Sequence, residues 1–437
     1  MLPYASCRPA AIMTFIGMVC LCWAIPVNGQ ESGTFPARES ASPGDPYLAE
    51  ESGTEGEKTG AVPPAVSPAP KKAPPSTTEI APSKPRTTPP AQRAPGQPAR
   101  QFDTSSMLAS RSPLIRLAGL PNMFGDSYGY QLQVSDFAGT GTVDMPLPGG
   151  TRGVKISEND KALPMDRVFF IYNHFQNALE ANVVGLGVES YPIDQYTLGL
   201  EKTFRDGLWS VELRLPFSRT PRVIGTDLDV GTGDVGNLAI IIKRLLYVSE
   251  STAVGIGLPI EAPTGCDIAG EGAVSSFSLS NDAVHLAPFV GFLNAPNDRV
   301  FCEGFLQVDI PTNGNRVSFG GSDLGELSEQ SLLFVDLALG YWLHRNPYAR
   351  AVTGVAGMVE YHYTTTLENA GTVSGTDGFQ FLRFGNPANR MDISNLTIGL
   401  HTELGKTTVR VGGVFPLSGG SNRLYDAEVQ VSINRQF

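Results

Sequence analysis

The last fourteen residues of the chain, 424–437, read LYDAEVQVSINRQF and alternate between two kinds of side chain. Successive side chains of a β-strand point to opposite faces, so a period of two predicts a strand with one apolar and one polar face. The odd positions supply the mostly apolar face and the even positions the polar face: Tyr425, Ala427, Val429, Val431, Ile433, Arg435 and Phe437 against Asp426, Glu428, Gln430, Ser432, Asn434 and Gln436.

A strand of this kind that ends the chain on an aromatic residue is typical of the closing strand of an outer-membrane β-barrel. Arg435 departs from the pattern, and we expect it to extend toward the lipid headgroups from the rim of the membrane. We therefore expect outer-membrane lipid around the barrel. We also expect the barrel-assembly machinery to recognise this strand, which ends at Phe437.

The composition favours a large folded domain with polar tails. The chain has 437 residues, of which 41% are hydrophobic and 17% charged, which is too apolar for a wholly disordered protein. Past residue 30 no apolar run is long enough to span a bilayer as a helix. If the protein is in a membrane, it crosses that membrane as a barrel.

The first 112 residues predict export and a spacer. Residues 1–29 have Arg8, an apolar core and small residues, as in a cleaved signal peptide. A lipoprotein anchored at Cys20 or Cys22 is the alternative, although Val19 and Leu21 stand where a small residue is needed. Residues 30–112 are predicted to form a disordered Pro/Ala-rich periplasmic linker, because they have too few apolar groups to fold. This linker either acts as a solvated tether or binds the cell wall.

Residues 113–164 carry apolar and aromatic residues without a long period. We interpret them as a small N-terminal segment that either sits at the periplasmic mouth or folds into the lumen as a plug, and the sequence leaves both open. The triplet Gly125-Asp126-Ser127 is similar to the nucleophile block of some esterases. A turn is the simpler interpretation.

From residue 165 to the end, strands alternate with turns, which predicts an all-β fold. The predicted architecture is a transmembrane antiparallel up-and-down barrel of about twelve strands, with short periplasmic turns and longer external loops. The first long external loop is expected at 177–193. The predicted strands are 166–176, 194–204, 208–218, 235–248, 251–263, 284–294, 299–311, 331–344, 350–364, 391–404, 407–417 and 424–437.

The first clear hairpin carries aromatic residues at both ends of both strands. Tyr196 and Phe204 cap one strand, and Trp209 and Phe217 cap the other. Each pair is eight residues apart, or about 26 Å along a strand, close to the apolar height of such barrels after tilt. A soluble lipocalin-like barrel or a β-sandwich would also alternate, but would not need these belts.

The polar face of the strands predicts which side chains line the lumen. Acids dominate, which favours either weak cation preference in a pore or acids and bases that pair and fill a small barrel. The candidate pore-lining residues are Glu201, Glu212, Arg214, Glu303, Gln307, Asp309, Asp336, Glu360, His362, His401, Glu403, Arg410 and Glu428.

The stretch 231–265 resembles a family of outer-membrane channels named after the meta-pathway of phenol degradation. The resemblance lies in Gly233-Asp234, Lys243-Arg244 and Pro263-Thr264-Gly265. A weaker second match to the strand that ends in Pro-Thr is found in the segment 308–312. It implies a channel or passive transporter for small solutes, including hydrophobic or aromatic compounds.

Two other functions stay open: an outer-membrane lipid hydrolase, and a structural barrel that tethers the outer membrane to the cell wall. Glu360 with His362, or His401 with Glu403, could serve as an acid–base pair, but no motif fixes a nucleophile. Lumen-filling polar groups are the simpler interpretation, so we predict no enzyme, no catalytic residue and no cofactor.

The sequence predicts no metal site either. The same His and Glu residues could bind a metal only if strand register assembled them. Asp227, Asp229 and Asp234 do not match the spacing of an EF-hand. No basic patch alternates with aromatic residues, so nucleic acid is not an expected partner. Cys266 and Cys302 are expected at opposite ends of the barrel, too far apart for a disulfide.

Overall fold

The computed structural model of the chain describes residues 116–126, 132–136, 141–149, 153–183, 187–219, 223–224, 229–231, 235–272, 274–386 and 388–437. The predicted signal peptide and linker lie outside these residues. Among the described residues, no helix has the length and apolarity needed to span a bilayer.

The described residues are almost entirely strands. A short helical turn at 116–118 and one turn of 3-10 helix at Gly420–Asn422 are the helical exceptions among them. The strands are, in chain order, β1 Leu132–Asp136, β2 Gly141–Met145, β3 Arg167–Val183, β4 Gly187–Phe204, β5 Trp209–Arg219, β6 Val223–Ile224, β7 Asp229–Gly231, β8 Leu238–Val248, β9 Thr252–Ala262, β10 Ile268–Glu271, β11 Ser276–Leu279, β12 His285–Leu286, β13 Phe289–Asn294, β14 Val300–Pro311, β15 Asn315–Phe319, β16 Ser322–Leu327, β17 Leu332–Arg345, β18 Gly354–Thr366, β19 Thr372–Thr376, β20 Phe381–Gly385, β21 Asp392–Leu404, β22 Thr407–Pro416 and β23 Ala427–Gln436.

Twelve antiparallel strands close into a barrel, which confirms the predicted fold class. The order around the barrel is β3, β4, β5, β8, β9, β12 with β13, β14, β17, β18, β21, β22 and β23. The terminal strand β23 then pairs with β3, from Ala427 opposite Gln176 to Gln436 opposite Arg167. Each predicted strand corresponds to one strand of the barrel, with β12 and β13 sharing the segment 284–294.

The outer face of the barrel is apolar and exposed, as lipid requires. In β17, Leu337 and Leu339 are 48% and 59% exposed, whereas Asp336 on the inner face is 0% exposed. Closure satisfies the backbone groups of every barrel strand, and only closed sheets or helices can do so in hydrocarbon. These features are those of an outer-membrane barrel. Cys302 lies half-buried on this outer face as a free thiol, so it is not bridged to Cys266.

The aromatic belt lies where the first hairpin predicted it. Tyr196 faces Phe217 across β4 and β5 at one end, and Phe204 faces Trp209 at the other, with ring centroids 6.2 Å apart. Lys202, on the same face, extends past the rim to pair with Asp166 at 3.2 Å. Cations near the rim therefore keep their charge in the polar layer.

The external connections differ from the predicted loops. Residues 177–193 were expected as a loop, but β3 and β4 continue through most of this range as a paired hairpin. Strands β2, β1, β20 and β19 extend the barrel sheet from the end of β3, and β16, β15, β11, β10, β7 and β6 form a second sheet. We call these two sets of strands the cap.

The cap strands share an apolar core with the external ends of the barrel strands, which explains why the cap segments fold instead of remaining loops. Leu132, Val134, Phe277, Phe319 and Phe384 are all at most 2% exposed and belong to one cluster. Burying a side chain of this size contributes roughly 1.5–3 kcal/mol. The cap therefore covers the extracellular side with folded structure.

Candidate functional site: a polar lumen filled by the chain's own plug

Residues 117–126 and 153–165 lie inside the barrel, and we call them the plug. The backbone N–H groups of Phe124 and Gly125 donate to the two carboxylate oxygens of Glu360 at 2.7 and 2.9 Å. Further along, Ile156 N–H donates to Gln307 at 2.7 Å. The first plug stretch rises toward the cap and the second returns to the start of β3. The predicted segment 113–164 is divided between two places: residues 117–126 and 153–164 lie in the lumen, whereas β1 and β2 belong to the cap.

All thirteen candidate pore-lining residues lie on the inner face of the barrel. Glu403, at the periplasmic end, is partly exposed, and the other twelve are buried. Alternation along the strands was therefore enough to predict that these side chains face inward. Most of them are hydrogen-bonded to the plug or to neighbouring strands, whereas the buried side chains of Glu303 and His401 have no hydrogen-bond partner among the described residues.

Three acids and three bases form a central ionic cluster near the start of β3. Its members are Asp160, Arg167, Glu201, Glu212, Arg214 and Lys243, each at most 3% exposed. Arg167 contacts Glu201 and Glu212 at 2.8 Å each, and Lys243 contacts Asp160 and Glu201 at 2.7 Å each. The charges balance within the cluster. Asp160 belongs to the plug, so the cluster attaches the plug to three wall strands.

A second, upper ionic cluster lies closer to the cap. Lys155 of the plug pairs with Asp126 and, at 2.8 Å, with Asp336. His362 Nδ1 lies 2.7 Å from Asp336, and its Nε2 lies 3.3 Å from Glu360. The imidazole is thus held between carboxylates in the interior. Asp126 is a member of this cluster, and Ser127 of the esterase-like triplet lies outside the described residues.

His401 and Glu403 are a separate pair at the periplasmic end. His401 Nε2 is 3.9 Å from Glu403, beyond hydrogen-bond distance, and its ring meets the edge of Trp342 with centroids 5.9 Å apart. His362 and His401 both point inward and are buried. Neither imidazole faces the lipid, where a membrane-lipid hydrolase would need it.

Within the part of the chain that the structure describes, two groups of three carboxylate or imidazole ligands come close enough to hold a metal ion: Asp126, Asp336 and His362, and Asp160, Glu201 and Glu212. Both groups already surround cationic side chains, Lys155 in the first and Arg167 with Lys243 in the second. These cations neutralise the acids, so the geometry is that of ion-pair clusters. Of the loop acids, only Asp229 lies within the described residues, in β7.

One sector of the lumen is apolar. Leu117, Met123 and Leu163 of the plug pack in a cluster with wall residues that include Phe289, Phe305 and Trp342. The strand pattern did not predict these inward-facing aromatic residues, because alternation predicts polar side chains on the inner face, as Glu303 and Gln307 on either side of Phe305 are. The plug therefore has an apolar side and an ionic side, each matched to its part of the wall.

Two chambers lie at the ends of the plug. A chamber of about 180 Å³ opens among plug residues and the periplasmic ends of β21, β22 and β23. A smaller one of about 20 Å³ lies toward the cap beside His285, Asp309 and Glu329. The ionic clusters lie between them, and a further cavity of about 20 Å³ lies between the plug and the wall beside Arg214.

The chain matches no family model and no curated protein. Its fold is similar to that of an outer membrane channel from Pseudomonas putida F1, with a TM-score of 0.43 and 13% identity over 63% of this chain and 97% of that one. The NanC porin gives 0.37 and 8%, over 62% and 98% of the two chains. The toluene transporter TbuX of Ralstonia pickettii gives 0.31 and 10%, over 63% and 90%. Similarity at this level assigns neither activity nor substrate to this chain.

Proposed function

We propose that the protein is an outer-membrane channel or passive transporter for small solutes, opened by movement of the plug. The observation that supports this most is the polar character of the contacts that attach the plug. Ion pairs and hydrogen bonds can be exchanged for water when the plug moves, whereas the ladder of the barrel strands stays paired. A path could thus open without unfolding the barrel.

The energetics of buried ion pairs favour this interpretation. The desolvation of two buried charges offsets most of their attraction, so such pairs fix a position without contributing much net stability. The central ionic cluster therefore holds the plug in register at a small free-energy difference from a hydrated arrangement. A purely structural barrel would gain more from an apolar filling of the same volume.

We further propose that hydrophobic or aromatic compounds are among the solutes. The apolar sector formed by Leu117, Met123, Leu163 and the wall phenylalanines would offer such compounds a surface once the plug shifts. The resemblance of 231–265 to the phenol-degradation family agrees with this. The thirteen inward-facing candidates would then line the path.

Planar-bilayer recording of the full chain tests the proposal. We expect discrete conductance steps for the wild type and larger or more frequent steps for Arg167→Gln, because Glu201 and Glu212 lose one of the two cations that they share and keep only Lys243. Arg316→Gln is the matched control, since Arg316 pairs with Asp282 on the exposed cap. Folded Arg167→Gln protein that inserts but never conducts, together with a silent wild type, would contradict a channel.

The terminal strand supports one further expectation about assembly. Phe437 is 46% exposed at the periplasmic end of the outer face, where an assembly factor could reach it. We propose that the barrel-assembly machinery binds this strand. Phe437→Ala should lower the amount of folded barrel in the outer membrane, measured by cell fractionation, without changing the conductance of the molecules that do insert.

A further inference from the structure

The periplasmic chamber of about 180 Å³ has a wall rich in hydrogen-bond donors. A cavity of this size can hold several water molecules or a small organic ligand. Its polar lining includes Asn122, Lys161, His401, Glu403, Arg410 and Asn434. The only carboxylate in the described lining is that of Glu403.

Two buried cations of this wall have no carboxylate partner among the described residues. Lys161 is 1% exposed, and its Nζ donates to the backbone carbonyls of Ala118 and Leu120 at 2.6 Å each. An ammonium group has three protons, so one donor direction is left. In the central ionic cluster, by contrast, every cation contacts at least two acids.

Arg410 is the second cation, and it is 2% exposed. Its Nη1 donates to Asn159 and its Nη2 to the carbonyl of Met123, each at 2.7 Å, while its Nε has no partner among the described residues. Glu360 and Glu303 attract this guanidinium electrostatically, but neither forms an ion pair with it. A buried guanidinium without an anion in direct contact is costly, which indicates that an anion belongs beside it.

His401 adds unsatisfied polar atoms to the same wall. Both ring nitrogens are buried without a hydrogen-bond partner among the described residues. Buried polar groups in native proteins are nearly always hydrogen-bonded, so a ligand or ordered water is expected here. Leu120 and Met165 supply apolar surface in the same lining.

We propose that this chamber binds a small carboxylate, whose oxygens contact Lys161 and Arg410 and whose apolar part lies against Leu120 and Met165. Glu303 is buried in the nearby wall but is not part of the chamber lining. Glu303 attracts Lys161 and Arg410 electrostatically without pairing with either of them, so their remaining N–H donors stay available to a ligand. This site rests on the proposed function and adds to it a class of solute. Because binding is measured at equilibrium, the test does not depend on whether the channel conducts.

Isothermal titration calorimetry of the full chain in detergent micelles tests the site with three ligands that are similar in shape but differ in charge. Benzoate is the anion, benzamide the neutral form and benzamidine the cation. We expect benzoate to bind at least about tenfold more tightly than benzamide, as charge-assisted hydrogen bonds are stronger than neutral ones. Benzamidine should not bind measurably. Equal affinity for benzoate and benzamide, or no benzoate binding by folded protein, would overturn the proposal.

Variants locate the site within the molecule. Arg410→Gln and Lys161→Gln should each weaken benzoate binding by about tenfold or more, because each removes one charged donor. Lys202→Gln is the control, since Lys202 is 62% exposed on the outer rim and should leave the affinity unchanged. Slower migration after boiling in gel electrophoresis checks that every variant is folded. Benzoate binding that survives both lumen substitutions would place the site elsewhere and refute the proposal, even if the channel conducts.

Discussion

Asp144 of the cap is an acid whose surroundings favour its protonated form. Burial raises its pKa to about 6, although hydrogen bonds from Gln133 Nε2 and the backbone N–H of Glu180 oppose the shift. In the unfolded chain this carboxyl titrates near 3.8. The folded cap therefore binds the proton more tightly, and its stability falls as the pH rises from about 4 to about 6.

Replacing Asp144 with asparagine should remove this pH dependence. At pH 7.5 we expect Asp144→Asn to stabilise the cap by up to about 3 kcal/mol, from about 1.4 kcal/mol per unit of pKa shift. Hydrogen exchange of the β1–β2 hairpin, corrected for intrinsic rates at pH 5 and pH 7.5, measures the effect. Glu271→Gln on an exposed position of β10 is the control. A wild-type cap equally protected at both pH values would contradict this assignment.

Individual lumen residues differ in how far the sequence could reveal them. Glu201, Glu212 and Glu360 follow from alternation, since each occupies the polar face of a regular strand. Their partners Lys155 and Asp160 lie in an irregular segment, whose side-chain directions no period defines. The ionic clusters, and the unpaired cations of the chamber, therefore emerge only from the three-dimensional arrangement.

At the scale of strands, phenylalanine rings on the inner face cover glycines on the neighbouring strand. Phe301 lies opposite Gly340, and a Cβ added at Gly340 would meet the Phe301 ring at 1.9 Å. Phe169 covers Gly199 in the same way on β3 and β4. Such pairs fill the space that a missing side chain would leave, as designed sheets also require.

Gly340→Ala should destabilise the barrel by about 1–3 kcal/mol, because the Phe301 ring must leave its position. Gly357→Ala, on the neighbouring strand β18, is a matched control, since an added Cβ there meets nothing within 4 Å. Urea unfolding in lipid vesicles, followed by tryptophan fluorescence, compares the two. Equal midpoints would mean that the ring moves at no cost.

The strands of the barrel were predictable and the cap was not. A barrel strand shows a long period of two because lipid and lumen impose opposite demands on alternate residues. The cap strands are short, such as β10 with four residues and β7 with three. Segments of that length carry too few repeats for a period, and their partners lie far away in the sequence.

At the scale of the whole molecule, the depth of an outer-face residue in the bilayer determines how much a charged side chain costs there. Leu339→Arg places a charge on the outer face in the middle of β17 and should cost about 2–4 kcal/mol, compared with about 0–1 kcal/mol near the interface. Leu417→Arg, beyond the external end of β22, is the interfacial control. Refolding yield into vesicles distinguishes the two positions. Similar yields would contradict the depths in the bilayer assigned to Leu339 and Leu417.

The seam between the first and last barrel strands is also bound to the plug. Asn159 exchanges two hydrogen bonds with Asn434 of β23, at 2.9 and 3.0 Å, while Arg167 of β3 reaches Asp160. During synthesis the filling of the interior leaves the ribosome before any wall that will enclose it, and the final strand arrives last. During biogenesis the sheet must therefore curl around a plug that is already attached to β3. Pairing of β23 with β3 then encloses the plug.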